Sequence, residues 1–215
     1  RVVSGLQFKP DLVWIKSRNE GSSGTGANML FNTIRGPEKF IMTDDLNAES
    51  NNSNGLKEFM NGGFRPGSMT RTNESGDNYV AWCWKAGGTA VTNNDGSGTS
   101  QVSVNDTAGF SIVSYTGNSS GDGDSQTIGH GLGVIPELII FKSRSWSSGD
   151  AHFATYHHEV TDASTDYMVL DTTEARVQTD TAYMNQTLPT STVFSLGYNF
   201  TTNKSGETYI AYCFK

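Results

Sequence analysis

The sequence predicts an all-β fold, an antiparallel β-sandwich of jelly-roll type built from two tandem lobes. Three observations carry that expectation: a composition dominated by small polar residues, short apolar runs separated by turn residues, and a long internal repeat. Of the 215 residues, 89 are Gly, Ser, Thr or Asn, and only 17% are charged. Ser, Thr and Asn compete with the helical backbone for hydrogen bonds and Gly loses the most entropy in a helix, whereas Thr and aromatic residues suit a pleated surface.

The repeat is legible without alignment. Gly5-Leu6-Gln7-Phe8-Lys9-Pro10-Asp11-Leu12-Val13-Trp14-Ile15-Lys16-Ser17-Arg18 returns at an offset of 126 as Gly131-Leu132-Gly133-Val134-Ile135-Pro136-Glu137-Leu138-Ile139-Ile140-Phe141-Lys142-Ser143-Arg144. Gly76-Asp77-Asn78-Tyr79-Val80-Ala81-Trp82-Cys83-Trp84-Lys85 returns at an offset of 130 as Gly206-Glu207-Thr208-Tyr209-Ile210-Ala211-Tyr212-Cys213-Phe214-Lys215. A drift of four residues is what a few loop insertions produce. Between these anchors the match thins to Phe40-Ile41-Met42 against Tyr167-Met168-Val169, and Phe64 and Gly67 against Phe194 and Gly197.

In chain order, runs of apolar or alternating residues bounded by Gly, Asn and Pro predict strands over 11–17, 28–32, 39–43, 63–68 and 78–85 in the first copy. The second copy gives 110–115, 137–143, 152–156, 167–170, 193–197 and 208–214. Only 53–60 and 182–185 read as helical turns. With no helices between them to cross over parallel strands, these strands pair antiparallel. The domain reading is a first β repeat over 1–85, a Gly/Ser/Asn-rich linker over 86–102, and a second β repeat over 103–215.

The second copy is preceded by an alternating segment, Gly109-Phe110-Ser111-Ile112-Val113-Ser114-Tyr115-Thr116-Gly117, that has no counterpart in the first. At the repeat offset that counterpart falls upstream of Arg1. The expectation is that a longer parent chain or a neighbouring subunit supplies the strand. The opening residues carry no initiator Met and no signal-type apolar run.

Charge and hydropathy narrow the function. A net charge of -7 with scattered Lys and Arg argues against nucleic acid. The longest apolar stretch, Val134 to Phe141, is interrupted by Pro136 and Glu137 and is far short of the roughly 20 residues that span a bilayer. Seven Asn-x-Ser/Thr sequons hardly exceed chance in so Ser- and Thr-rich a chain.

Most of the motifs have a structural reading. Cys83 and Cys213, at equivalent positions in the strongest strands, read as buried apolar thiols before they read as a disulfide. His152, His157 and His158 lie close in sequence, but no nearby Cys completes a zinc set, and strand geometry sends His157 and His158 to opposite faces. Asp122 and Asp124, with Asn93-Asn94-Asp95-Gly96, offer loop oxygens that loosely echo a calcium loop but lack its twelve-residue pattern; they read as turns before they read as a Ca2+ site, and no cofactor is expected. Gly117-Asn118-Ser119-Ser120-Gly121 spells a nucleophile elbow but leads into no helix, and Gly129-His130-Gly131-Leu132-Gly133 precedes a strand, so neither acyl transfer nor phosphate binding follows. Asp44 with Asp45, and Asp171 with Glu174, read as turn and edge residues. The shared Lys16-Ser17-Arg18 and Lys142-Ser143-Arg144 read as structural, blunting a sheet edge or pairing with a carboxylate. Trp146, in a Ser-rich loop, is the leading candidate for stacking on a sugar or partner. The candidate ligand-binding residues are therefore Trp146, Asp122, Asp124 and His157, with no catalytic residue and no metal.

The segments Gly109 to Asn118, Gly129-His130-Gly131-Leu132-Gly133 with Pro136, Pro189-Thr190-Ser191-Thr192-Val193-Phe194-Ser195-Leu196-Gly197, and Tyr209-Ile210-Ala211-Tyr212-Cys213-Phe214 resemble a repeat domain of unknown function common in tail-fibre-like proteins of marine bacteriophages. The second copy matches throughout. The first lacks the lead strand and has Arg65-Pro66 where the pattern carries small polar residues. The resemblance implies a structural and adhesion module on a virion surface, non-enzymatic, assembling as a trimer or with other virion proteins and binding a host-surface glycan. The rival classes are a free lectin-like module, a capsid decoration or head-fibre protein and, as an enzyme, a capsule depolymerase.

Overall fold

A computed structural model describes residues 1–19, 26–147, 149 and 151–215. The first repeat contains β1 (Val3–Ser4), β2 (Leu12–Ser17), β3 (Asn28–Asn32), β4 (Lys39–Met42), β5 (Ser50–Asn51), β6 (Leu56–Met60), β7 (Gly63–Pro66), the single helical turn α1 (Thr70–Asn73) and β8 (Tyr79–Trp84). The second contains β9 (Val91–Asn93), β10 (Ser100–Asn105), β11 (Phe110–Thr116), β12 (Gln126–Gly129), β13 (Leu138–Ser143), β14 (Ala154–His157), β15 (Met168–Val169), β16 (Val193–Leu196), α2 (Phe200–Asn203) and β17 (Thr208–Phe214). All strand-to-strand ladders are antiparallel, so the chain is an all-β sandwich.

Two main sheets carry the architecture. One has the order β5-β4-β3-β2-β8, the other β15-β14-β13-β17-β11-β10-β9. The repeat maps β4-β3-β2-β8 onto β15-β14-β13-β17, while β1 and β7 of the small β1-β7-β6 sheet map onto the β12-β16 pair.

The central strands of each main sheet bury both faces, which is why they read as near-continuous apolar runs. On β2, Val13 and Ile15 pack outward with Leu56, Phe59 and Phe64 of the small sheet, while Leu12 and Trp14 face the other lobe. On β17, Tyr209, Ala211 and Cys213 pack outward with Ile128, Phe194 and Leu196, while Ile210, Tyr212 and Phe214 face the first lobe. The two main sheets therefore share a middle core, with Trp84, Phe110 and Phe214 in mutual ring contact at 4.8–6.4 Å. A buried hydrogen bond from Asn32 Nδ2 to the Tyr212 hydroxyl, 2.9 Å, also joins the lobes.

Several expectations are corrected. Residues 86–102 are no free linker: they hold β9 and the start of β10, which extend the larger sheet. Glycine is needed there for close packing, since a Cβ on Gly96 would lie 2.1 Å from the Thr127 carbonyl oxygen. Residues 53–55 form a turn and 56–60 form β6, not a helix, and 182–185 form turns. The helical turns fall instead at α1 and α2. The Lys-Ser-Arg triplets close β2 and β13, which are interior strands, so they blunt no edge. Their role is to tie loops: the Lys16 ammonium donates to the Gly26 carbonyl and the Lys142 ammonium to that of Ala151. Both cysteines are free thiols, Cys213 buried and Cys83 partly so. Among the described residues, no helix is long and apolar enough to cross a membrane.

Candidate functional site

The turns after β4 and β15 occupy equivalent repeat positions, and the face-to-face packing of the sheets brings them together at one mouth of the middle core. Between the sheets lies an apolar cavity of about 300 Å³. Its lining includes the equivalent pairs Leu12 and Leu138, Trp14 and Ile140, Thr43 and Leu170, and Trp84 and Phe214. It joins an outer cleft of about 610 Å³ through Trp14, Thr43 and Leu170, which line both. Asn28, Asp44, Asp171, Thr172, Thr173 and Glu174 complete the rim.

Trp14 is set by β2, whose alternation sends Trp14 to the interlobe side while Val13 and Ile15 anchor the other face. Its ring meets Trp82 edge-on at 6.0 Å. Its indole Nε1–H is buried and makes no hydrogen bond among the described residues, although a buried donor left unpaired costs about 1–3 kcal/mol.

Asp171 is held rigidly. Its side chain is 1% exposed, Oδ1 accepts the Phe153 N–H at 3.1 Å, and Oδ2 lies 3.0 Å from His152 Nδ1. Asp44 is exposed and accepts the Asn28 N–H at 3.3 Å; Glu174 is exposed. An indole at the junction of an apolar slot and a carboxylate-bearing rim suits a ligand with an apolar face and hydroxyl donors, and opposes an anion. Among the described residues that line the cleft, none pairs a nucleophile with a base as acyl transfer requires.

Two buried charged groups brace the lobes behind the cleft. Lys142 is fully buried, with Nζ 3.4 Å from the Asp45 carbonyl oxygen of the other lobe and 4.9 Å from the Phe153 ring centroid. Burial pushes its ammonium down to about 8, against the opposing pull of Asp171 and Asp45. Glu49 of the first lobe pairs with Arg35 at 3.3 Å and with Arg144 of the second at 3.0 Å, and its N–H donates to the Arg144 carbonyl at 2.8 Å. Burial alone would raise the Glu49 carboxyl, but the Arg144 hydrogen bond and the charges of Arg35, Arg144 and Lys39 outweigh it and hold it below the usual range. This is the carboxylate pairing that the second Lys-Ser-Arg triplet was expected to make.

The four candidates read from sequence lie elsewhere. Trp146 is half-buried, with the Lys204 ammonium over its ring and Phe200 at 5.8 Å, so that ring face is already covered. Asp124 closes its own loop, accepting the N–H groups of Ser120 and Gly121 at 2.7 and 3.1 Å, while Asp122 is exposed. His157 accepts the Glu159 N–H at 3.2 Å through Nδ1 and lies beside His158. It pairs with Leu138 at the start of β13, whereas Trp146 follows that strand's far end, so the structure does not bring these two together. Among the described residues, no group of three or more His, Cys, Asp or Glu side chains could hold a metal ion.

Fold and cleft define a duplicated antiparallel β-sandwich with an open, tryptophan-lined cleft between its lobes. The chain belongs to the family described as a domain of unknown function, DUF7483, whose model matches residues 1–215. No curated protein and no solved structure matches it.

Proposed function

We propose that this chain is a non-enzymatic structural and adhesion module of a phage virion, of the tail-fibre kind, that holds a neutral host-surface glycan in the cleft between its lobes. The observation that carries the reading is Trp14, whose ring stands at the junction of the apolar slot and the acidic rim with its N–H unsatisfied. A sugar stacks its C–H face on such a ring while its hydroxyls donate to the exposed rim carboxylates of Asp44 and Glu174. The likeness of Gly109 to Asn118 and Tyr209 to Phe214 to phage fibre repeats supplies the virion context. The same cleft also favours a second reading, a free lectin-like module, which differs in context and not in chemistry.

The test is a glycan array probed with the isolated 215-residue chain, followed by titration of any hit. Binding to neutral glycans, lost in Trp14→Ala, weakened in Asp44→Asn and unchanged by EDTA, is expected. Absence of binding, or binding that survives Trp14→Ala and falls with Trp146→Ala, overturns the site. Release of oligosaccharide from capsule would restore the depolymerase, and imaging that places the chain on the capsid would move it from fibre to head decoration.

A further inference from the structure

The two lobes differ at one sheet edge. In the second, β17 lies between β13 and β11; in the first, its equivalent β8 pairs with β2 and ends the sheet. The Arg18 N–H donates to the Asn78 carbonyl, and with alternate pairing this turns the backbone groups of Val80, Trp82 and Trp84 toward β2. Those of Tyr79, Ala81 and Cys83 point away from β2. Their equivalents Tyr209, Ala211 and Cys213 stand opposite Tyr115, Val113 and Ser111 of β11.

Behind this edge is a cavity of about 340 Å³ whose lining includes Phe64, Thr72, Asn73, Asp77, Tyr79 and Ala81. In the second lobe the equivalent positions receive Tyr115. It stacks on Tyr209 at 5.3 Å, meets Phe194 edge-on at 5.8 Å, and donates its hydroxyl proton to the Thr202 carbonyl at 2.8 Å. Tyr209, Phe194 and Thr202 correspond to Tyr79, Phe64 and Thr72. The walls are set alike. Tyr79 donates to the Thr70 carbonyl and accepts the Glu74 N–H, as Tyr209 does with Phe200 and Lys204, and Asn73 Nδ2 donates to Gly67 as Asn203 Nδ2 does to Gly197.

A second observation points to an occupant. Asp77 Oδ2, in the cavity wall, is buried and makes no hydrogen bond among the described residues. Trp82, on the same edge, is 46% exposed, whereas its equivalent Tyr212 is buried at 1%.

We infer that the free edge of β8 and the cavity behind it form an acceptor slot for a donor β-strand of the β11 type, brought from outside these 215 residues. The strand pairs antiparallel with β8, carries apolar residues at alternate positions, and seats a tyrosine between Phe64 and Tyr79. Backbone pairing supplies affinity and the tyrosine pocket supplies register, as in strand addition generally. This assembly site is independent of the glycan cleft.

The test uses the full chain and a labelled peptide with the sequence of residues 109–117 extended by solubilising lysines. Saturable one-to-one binding is expected, with slowed hydrogen exchange at Ala81 and Cys83 and none at Ala211 and Cys213. A peptide with its tyrosine replaced by alanine should bind at least about tenfold more weakly. Ala81→Pro, which removes an outward N–H on an edge strand where proline is tolerated, should abolish binding while the far-ultraviolet spectrum is kept. Absence of peptide binding, protection at β17 instead of β8, indifference to the tyrosine, or a β8-mediated dimer that the peptide does not dissociate each overturns the proposal. The peptide variant decides the matter even if Ala81→Pro fails to fold.

Discussion

Replacing Lys142 by methionine tests the reading of the interlobe core through its pH dependence. The lysine is fully buried, and its ammonium is pushed down to about 8 from an ordinary 10.5. Below about pH 8 both folded and unfolded chains hold the proton, and the folded state bears the whole cost of a buried charge. Between about 8 and 10.5 the unfolded chain keeps a proton that the folded chain has released, so this group makes stability rise with pH. Above 10.5 both states are neutral and the cost is gone. The shift corresponds to about 3 kcal/mol in total, of which roughly 2.5 kcal/mol is recovered between about pH 7 and pH 10. Other groups act oppositely over the same range. Burial raises the Cys83 thiol to about 11 and the Cys213 thiol to about 12, so each costs stability as the unfolded thiol ionises. The informative quantity is therefore the difference between wild type and Lys142→Met, in which these contributions cancel. Met conserves the stem and leaves the Ala151 and Asp45 carbonyls without their donor, a loss of about 1 kcal/mol each that does not vary with pH. Urea unfolding at about pH 7, 8, 9 and 10 should show wild type gaining about 2.5 kcal/mol on the variant. Parallel curves, within about 0.5 kcal/mol across the series, would refute the claim that Lys142 is desolvated against the first lobe.

Three further outcomes are expected. Glu49→Gln should destabilise by about 2 kcal/mol at neutral pH, because Arg35 and Arg144 lose the carboxylate they share across the lobes; since the wild-type carboxyl is held low, its contribution is present above the unfolded pKa and lost as pH falls through the folded one, so chemical denaturation should show the gap closing in acid. Trp84→Ala should cost about 3 kcal/mol by opening a void beside Phe110 and Phe214, and calorimetry should show one cooperative transition in wild type and two in the variant, whereas two transitions in wild type would mean that the middle core does not couple the lobes. Under native conditions a thiol reagent should modify Cys83 slowly and Cys213 only on unfolding, and rapid equal labelling would contradict the burial of β17.

The strands with apolar runs were legible because both faces of each main sheet are buried. The elements that escaped did so for identifiable reasons. Leu56-Lys57-Glu58-Phe59 has the apolar spacing of a helix, but in β6 a bulge between Leu56 and Glu58 breaks the two-residue alternation, so Leu56 and Phe59 both face the core. β10 and β12 are hidden by polar residues that are buried because they are bonded: Ser100 to Gly129, Ser103 to Gly88, and Gln126 to Thr116 and Asn203. Polarity there marks satisfied backbone, which composition cannot distinguish from linker. The cleft was missed because a motif search looks for neighbours in sequence, whereas Trp14, Asp44 and Asp171 meet only when the sheets stack. One signal was available. Asp44 and Asp171 occupy the same repeat position, and residues equivalent in two copies that pack face to face converge on one site.

The same logic explains why the copies diverged unequally. Several positions in the outer cores keep their residue types: Tyr79 and Tyr209, Ala81 and Ala211, Cys83 and Cys213, Phe64 and Phe194, while Ile15 has Phe141 as its equivalent. Each matched pair sits in the same local surroundings in both lobes and answers to the same packing constraint. Of the equivalent pairs that line the interlobe cavity, Leu12 and Leu138 are alike, whereas Trp14 and Ile140, Thr43 and Leu170, and Trp84 and Phe214 differ and together fill one space. At the seam between the lobes the Trp14 indole and the smaller Ile140 both line the cavity. The two proposals accordingly fall at different places, recognition at the seam where the copies differ and strand addition at the β8 edge, where the second copy has the neighbour β11 and the first has none.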